Sequence, residues 1–265
     1  MTSPLRRHGL VLLVSLLGWT TPLVSLAGVI SYLRFEEGSG YAAADETGLM
    51  NGELLEFNEF TGWSTDVPAA TVPLTGQANT GSLYFGPGFV DLSNANDVYL
   101  GYSFTLEFFF NAEAPGLGSL FYGFSGGSIL SWSLGEDPYA EGLLMGGRFQ
   151  GQLDIIPAST VLLNTWQHFA LVKTPGGYQV YIDGALIADE SLPSGTDGPY
   201  SFAGTAMTGD RTIGGDDGTF RGWIDEFRIS DEALTPDQFL CAIPEPSTLG
   251  LILLGAAGLA WRRRM

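Results

Sequence analysis

Few side chains in this 265-residue chain combine the type and spacing that chemistry needs. The body holds a single histidine, His168, because His8 sits in the apolar N-terminal leader. No serine or cysteine is spaced with it as a base-activated nucleophile, so covalent catalysis has no candidate set. The adjacent carboxylates Asp225-Glu226 come nearest to an acid–base pair. Asp225 alternates with Trp223, Phe227 and Ile229, which puts it on their inward face near a strand end, where a carboxylate accepts hydrogen bonds from a turn. The loop Gly214-Gly215-Asp216-Asp217-Gly218 is the metal candidate. Ca²⁺ takes about six to eight oxygens, and a glycine-flanked carboxylate pair supplies several. Asp216 and Asp217 are the expected ligands, completed by Asp210, backbone carbonyls or water; the competing reading is a solvated Asp-Gly turn. Trp63, Tyr139, Tyr200 and Phe220 at loops have rings that stack on sugars or pack the core.

Composition narrows the scaffold that positions these groups. Hydrophobic residues make up 45% of the chain, enough for a sizeable core, and 17 Phe, 10 Tyr and 6 Trp favour strands over helices. The 37 glycines are scattered, as many tight turns require. All 29 acidic residues fall between Glu36 and Glu245, while five of the 11 basic ones are Arg6, Arg7 and Arg262 to Arg264. The body from Gly28 to Pro246 therefore carries a formal charge of −23, which repels phosphate backbones and excludes nucleic acid as a partner. With Cys241 the sole cysteine, no internal disulfide is available and the domain must hold by core burial. Cys241 is a linker residue or a site for intermolecular pairing.

Both ends read as targeting segments. Residues 1–27 form a secretory signal: Arg6, Arg7 and His8, an apolar run over Leu10 to Leu17, and small residues at Ser25 and Ala27 for a cut before Gly28. At the other end, Pro244-Glu245-Pro246 precedes an apolar helix over 249–261 and then Arg262-Arg263-Arg264, which stay cytoplasmic. This run falls well short of the ~20 residues of a stable span, so it marks a temporary halt in the inner membrane. The triplet, short helix and Arg tail resemble the PEP-CTERM sorting signal of Gram-negative bacteria. The resemblance implies that an exosortase cuts near Pro244, Glu245 and Pro246 and delivers the protein to the cell surface or exopolymer matrix. Residues 241–265 are assigned to this signal and 28–240 to one domain.

From Gly28 to Leu240 short strands alternate with turn residues, without a long amphipathic helix. Thr174-Pro175-Gly176-Gly177 has the demands of a type II turn and Asp183-Gly184 those of a tight hairpin, so three strands follow one another between His168 and Ala188. Thr235-Pro236-Asp237-Gln238 reads as a capping box for one short helical turn. Four separated stretches then carry a family resemblance: Ser103–Phe109, Asn164–Val172, Tyr178–Gly184, and Gly222–Ile229 with Leu234. They resemble the laminin-G-like, concanavalin A-like domains. The resemblance implies an all-β, antiparallel two-sheet jelly-roll sandwich of roughly 12–14 strands, flanked by a terminal apolar helix at each end. It also makes His168 a structural histidine and Trp166 a buried core residue.

That fold hosts enzymes and binders alike, so function must come from a site. Retaining glucanases of this fold carry Glu-x-Asp-x-x-Glu on one strand, aiming two carboxylates about 5–5.5 Å apart. Here Gln152-Leu153-Asp154-Ile155-Ile156-Pro157 has lost both glutamates. Alginate lyases need Gln-x-His, whereas Gln167 and His168 are adjacent and face opposite ways. The Asp216-Asp217 loop is similar to the acidic calcium loop of pentraxins, although Phe124-Ser125-Gly126-Gly127-Ser128, where pentraxins add an Asp-Asn pair, has no carboxylate. The expectation is a non-enzymatic surface or matrix module recognising a glycan or an extracellular protein. Its rivals are a glycan-degrading enzyme and a structural matrix protein.

Overall fold

The computed structural model describes residues 28–55, 62–86, 89–92, 99–113, 118–125, 128–136, 143–149, 152–157, 161–192, 200–201, 206–207 and 220–243. The strands are β1 Val29–Leu33, β2 Ala42–Ala43, β3 Gly52–Leu55, β4 Gly62–Ser64, β5 Ser82–Phe85, β6 Phe89–Asp91, β7 Tyr99–Leu100, β8 Phe104–Ala112 and β9 Gly118–Ser125. They continue with β10 Ser128–Glu136, β11 Leu143–Phe149, β12 Gln152–Pro157, β13 Gln167–Thr174, β14 Gly177–Ile182, β15 Ala185–Ser191, β16 Tyr200–Ser201, β17 Ala206–Met207 and β18 Gly222–Ser230. Every pairing is antiparallel.

The first sheet runs β15-β14-β13-β8-β18-β5-β4, and β1 also pairs with β18 beyond the end of β5. The second runs β12-β11-β10-β9-β17-β6-β3-β2, and β16 pairs with β7. Local chemistry explains the hairpins. Gly176 takes φ 81° at the third position of the β13–β14 turn. Asp183 and Gly184, at φ 50° and 74°, make the two-residue turn to β15. The helical signal at Thr235 becomes a single 3₁₀ turn, Pro236–Gln238, with the Gln238 side chain accepting the Thr235 amide at 2.9 Å.

The core fills the space between the two sheets. Leu54 and Val90 of the second sheet meet Leu83, Leu106, Phe108, Phe169, Ile224 and Phe227 of the first. Phe108 stacks between Phe169 and Phe227, with ring centroids 5.0 and 6.1 Å away. All nine residues of β8 are buried, because the first sheet is covered on its other face as well. Two segments cover it, residues 66–80 and residues 231–243. Val72 and Leu240 pack on Tyr32 and Phe109, and Phe239 packs on Ala170, Val172 and Tyr181. The two covers join where the Leu74 amide donates to the Leu240 carbonyl at 3.1 Å.

Candidate functional site

The face under these covers is set by an irregularity in β18. Asp225 pairs with Phe109 and Arg228 with Glu107, so two residues of β18 oppose the single Phe108 between them. Glu226 takes φ 53°, the extra residue of a β-bulge. The bulge shifts the alternation. Ile224, Phe227 and Ile229 face the inter-sheet core, while Asp225, Glu226 and Arg228 all face the covered outer side. The expected inward position of Asp225 beside Phe227 and Ile229 is thereby corrected.

Three buried charge clusters occupy this side. Glu107 Oε1 accepts from Arg228 Nε at 2.7 Å, and its Oε2 meets His168 Nε2 and accepts the Leu240 amide, both at 2.8 Å. Burial pushes the Glu107 carboxyl up, but Arg228 and His168 outweigh it and hold the group below the usual range. Glu226 accepts from Arg34 Nη2 at 2.8 Å and from the Tyr32 hydroxyl. Burial raises the Glu226 carboxyl against the pull of those two partners. Asp225 Oδ2 accepts from Asn79 Nδ2 at 2.8 Å, while Oδ1 of each residue has no hydrogen-bond partner. Burial first, and the Glu226 charge second, push Asp225 up to about 8. These carboxylates are enclosed and committed to neighbours, so they offer no acid–base pair to a substrate. His168, fully buried against Glu107, stands where a structural histidine was expected.

At the end of the same face the cover stops and aromatic rings remain. Tyr84 pairs with Trp223, and Trp223 with Asn111. Continuing the β8–β13 register places Trp166 opposite Asn111. On β4, Gly62 pairs with Tyr84 and adds no side chain beside it. Tyr84, Trp223 and Trp166 are each half-buried. The Tyr84 and Trp223 rings meet edge-on with centroids 4.9 Å apart. The polar ends are already taken: the Tyr84 hydroxyl donates to Glu113 at 2.5 Å, the Trp223 indole to Ser64 at 3.1 Å and the Trp166 indole to Asp66 at 3.0 Å. Trp166 is thus in part the buried core residue expected: it packs against the cluster of Tyr32, Val72, Phe109 and Leu240, while its indole N–H turns to the exposed carboxylate of Asp66.

The other expectations divide. Trp63 packs on the core with its indole on the Gly40 carbonyl, and Phe220 is buried in the core. Tyr139, Asp216 and Asp217 fall outside the described residues, as do Ala27, Pro244, Glu245 and Pro246 and both terminal helices. Gly28, the first described residue, accepts the Asp231 amide at 2.8 Å. Among the described residues no group of three or more His, Cys, Asp or Glu side chains is placed to hold a metal ion, and no helix is long and apolar enough to cross a membrane. Burial pushes the half-buried Cys241 thiol up to about 12, with Glu107 and Asp183 adding to it, which leaves little thiolate for intermolecular pairing. The row of Tyr84, Trp223 and Trp166 escaped sequence reasoning, although two of its members stand inside the quoted motifs, because Trp223 was phased inward with Phe227.

An all-antiparallel two-sheet sandwich, closed by the C-terminal cover of residues 231–243 (the strap) and followed at once by a sorting segment, defines the class: an exported β-sandwich protein. The chain belongs to the concanavalin A-like lectin/glucanases superfamily, whose Laminin_G_3 family model matches residues 67–239. The PEP-CTERM protein-sorting motif matches residues 242–264, which implies exosortase processing and export to the envelope of a Gram-negative bacterium. No curated protein sequence matches the chain. Among solved structures, domain 4 of AbnA, a GH43 extracellular arabinanase from Geobacillus stearothermophilus in complex with arabinotriose, is similar at 16% identity and TM-score 0.56, covering 79% of this chain and 95% of that one. A mutant of Trypanosoma rangeli sialidase displaying trans-sialidase activity is similar at 16% identity and TM-score 0.57 over 83% of this chain, which spans 33% of the sialidase. At these identities the likeness speaks to the fold alone.

Proposed function

We propose that this protein is a surface- or matrix-displayed binding module without catalytic activity, recognising a glycan or an extracellular protein. The observation that carries this reading is the contrast on one sheet face: the clustered carboxylates are buried beneath the two covering segments, while Tyr84, Trp223 and Trp166 stay only half-buried at its end. The arabinotriose in the AbnA domain supports the glycan arm. Incubation with a polysaccharide panel should release no reducing ends, and a glycan array should retain the protein. Reducing ends set free at a rate that grows with enzyme concentration would defeat the non-catalytic reading.

The proposed organisation is a leader over 1–27, a jelly-roll sandwich over 28–240 and a sorting segment over 241–265. In an exosortase-bearing host the mature chain should start at Gly28, after Ala27, and end near Pro244–Pro246. Intact-mass spectrometry of the surface fraction checks this, and a mass that still contains Leu249–Met265 rules the cut out. Calcium at Asp216 and Asp217 is proposed on the loop sequence. At a hundredfold excess over Kd it stabilises by about 2.7 kcal/mol, a rise of several degrees in Tm. At constant ionic strength Ca²⁺ should act beyond Mg²⁺ in the wild type and lose that excess in Asp216→Ala/Asp217→Ala; equal shifts in both proteins leave only screening.

A further inference from the structure

We infer that the row Tyr84–Trp223–Trp166 is a binding platform for an uncharged oligosaccharide. The inference rests on the glycan arm of the proposed function and adds the place and the ligand class. Tyr84 and Trp223 stand on the neighbouring strands β5 and β18, and Trp166, just ahead of β13, lies one strand further on across the buried Asn111 of β8, in a single cross-strand register running Gly62, Tyr84, Trp223, Asn111 and Trp166. Strands lie ~4.8 Å apart, so the three strand spacings from Tyr84 to Trp166 make a row roughly 14 Å long, an elongated surface rather than a pocket.

Two physical features select the ligand. First, each ring's hydrogen-bonding end is consumed inside the protein, by Glu113, Ser64 and Asp66. What the rings still offer is apolar surface without polar demands, which suits the C–H face of a sugar ring. The same hydrogen bonds hold the rings in place before binding, which lowers the ordering cost of a weakly held ligand. Second, the edges of the row are polar and exposed: Asp66 and Glu113, with Arg221 beside the Tyr84 hydroxyl. Carboxylates accept hydrogen bonds from sugar hydroxyls but repel uronates and sulfated sugars, and the −23 body charge reinforces that repulsion. Charge therefore separates this platform from one for acidic exopolymers.

The test uses the full-length protein in a mild detergent and five probes: cellohexaose, xylohexaose, chitohexaose, linear arabinohexaose and hexagalacturonate. Isothermal titration should detect at least one of the four uncharged probes, and hexagalacturonate should bind at least tenfold more weakly. Tyr84→Ala and Trp223→Ala should each weaken the best probe at least tenfold. Hydroxyl-radical footprinting of the wild type, which needs no substitution and so is immune to misfolding, should show that the bound probe shields Tyr84, Trp166 and Trp223 from oxidation. If a probe binds with these three residues unshielded, the platform is elsewhere and the glycan-binding reading survives. Hexagalacturonate as the best ligand overturns the charge argument and with it the inference. Failure of all five probes to bind removes both the platform and the glycan arm.

Discussion

Glu107→Gln is expected to lower stability by about 3–5 kcal/mol, the usual loss when one member of a buried ion pair is removed. The substitution keeps size and shape, so no cavity contributes. Both carboxylate oxygens are acceptors at once: Oε1 receives Arg228, and Oε2 receives the Leu240 amide and faces His168 Nε2. A side-chain amide has one acceptor and one donor end. Whichever way the introduced amide is turned, its NH₂ group points at a donor, and Arg228 is left buried without its counter-charge. The strap should loosen too, because the Leu240 amide is one of its ties to the sheet. Urea midpoints measure the first effect, and faster hydrogen exchange over residues 231–243 the second. A companion pair, Glu107→Met with Arg228→Met, should recover much of the loss, since an apolar replacement of the whole pair removes the stranded charge. A change under ~1 kcal/mol in the single variant would mean that water reaches Glu107 and that the strap is not the seal described above.

Features governed by neighbouring residues were legible in the sequence. Thr174–Gly177 and Asp183-Gly184 specify their turns through Pro and Gly alone, and the β13–β14–β15 meander followed from them. The Thr235 capping box was equally local. Strands of two or three residues such as β2, β4, β6 and β7 show no period, and the long pairings of the second sheet leave no mark in either partner. The cover over the first sheet was hidden for another reason. Residues 231–243 have no repeating apolar pattern, and Phe239 and Leu240 anchor them through contacts with residues far away in sequence, on β8, β13 and β14.

The bulge is the most instructive miss. One residue in a left-handed conformation, Glu226, reverses the face of everything on one side of it relative to the other. Period-two counting through Trp223, Asp225, Phe227 and Ile229 was sound up to that point and wrong across it. The candidate site inherits the error, since the outward phase of Trp223 and Asp225 creates both the aromatic row and the buried acid. Lys173, the chain's single lysine, makes the same point about burial: it is fully covered, with its amine reaching the Tyr102 carbonyl at 3.2 Å.

Asp225→Asn is expected to stabilise the protein above pH 8 by an amount on the order of 5 kcal/mol, and to flatten the pH dependence of stability between about pH 4 and pH 8. The sign follows from the folded-state shift. Burial, then the neighbouring Glu226 charge, push the Asp225 carboxyl from 3.8 up to about 8. The folded protein thus holds a proton that the unfolded chain has released. Stability from this group is fully present below the unfolded value and is lost as pH rises through the folded one. Glu107 works in the opposite sense and in a different window: its lowered carboxyl contributes above the ordinary glutamate range and fails only on acidification. Asparagine is neutral throughout, fits the same space, and can still accept from Asn79 Nδ2. Its own NH₂ group can turn toward Asn79 Oδ1, the acceptor that Asp225 leaves unsatisfied. Urea midpoints for wild type and variant at pH 5, 7 and 9 should therefore diverge with rising pH, the variant ahead. Parallel curves, or a variant that loses stability at pH 9, would show that Asp225 is ionised and well solvated in the folded state.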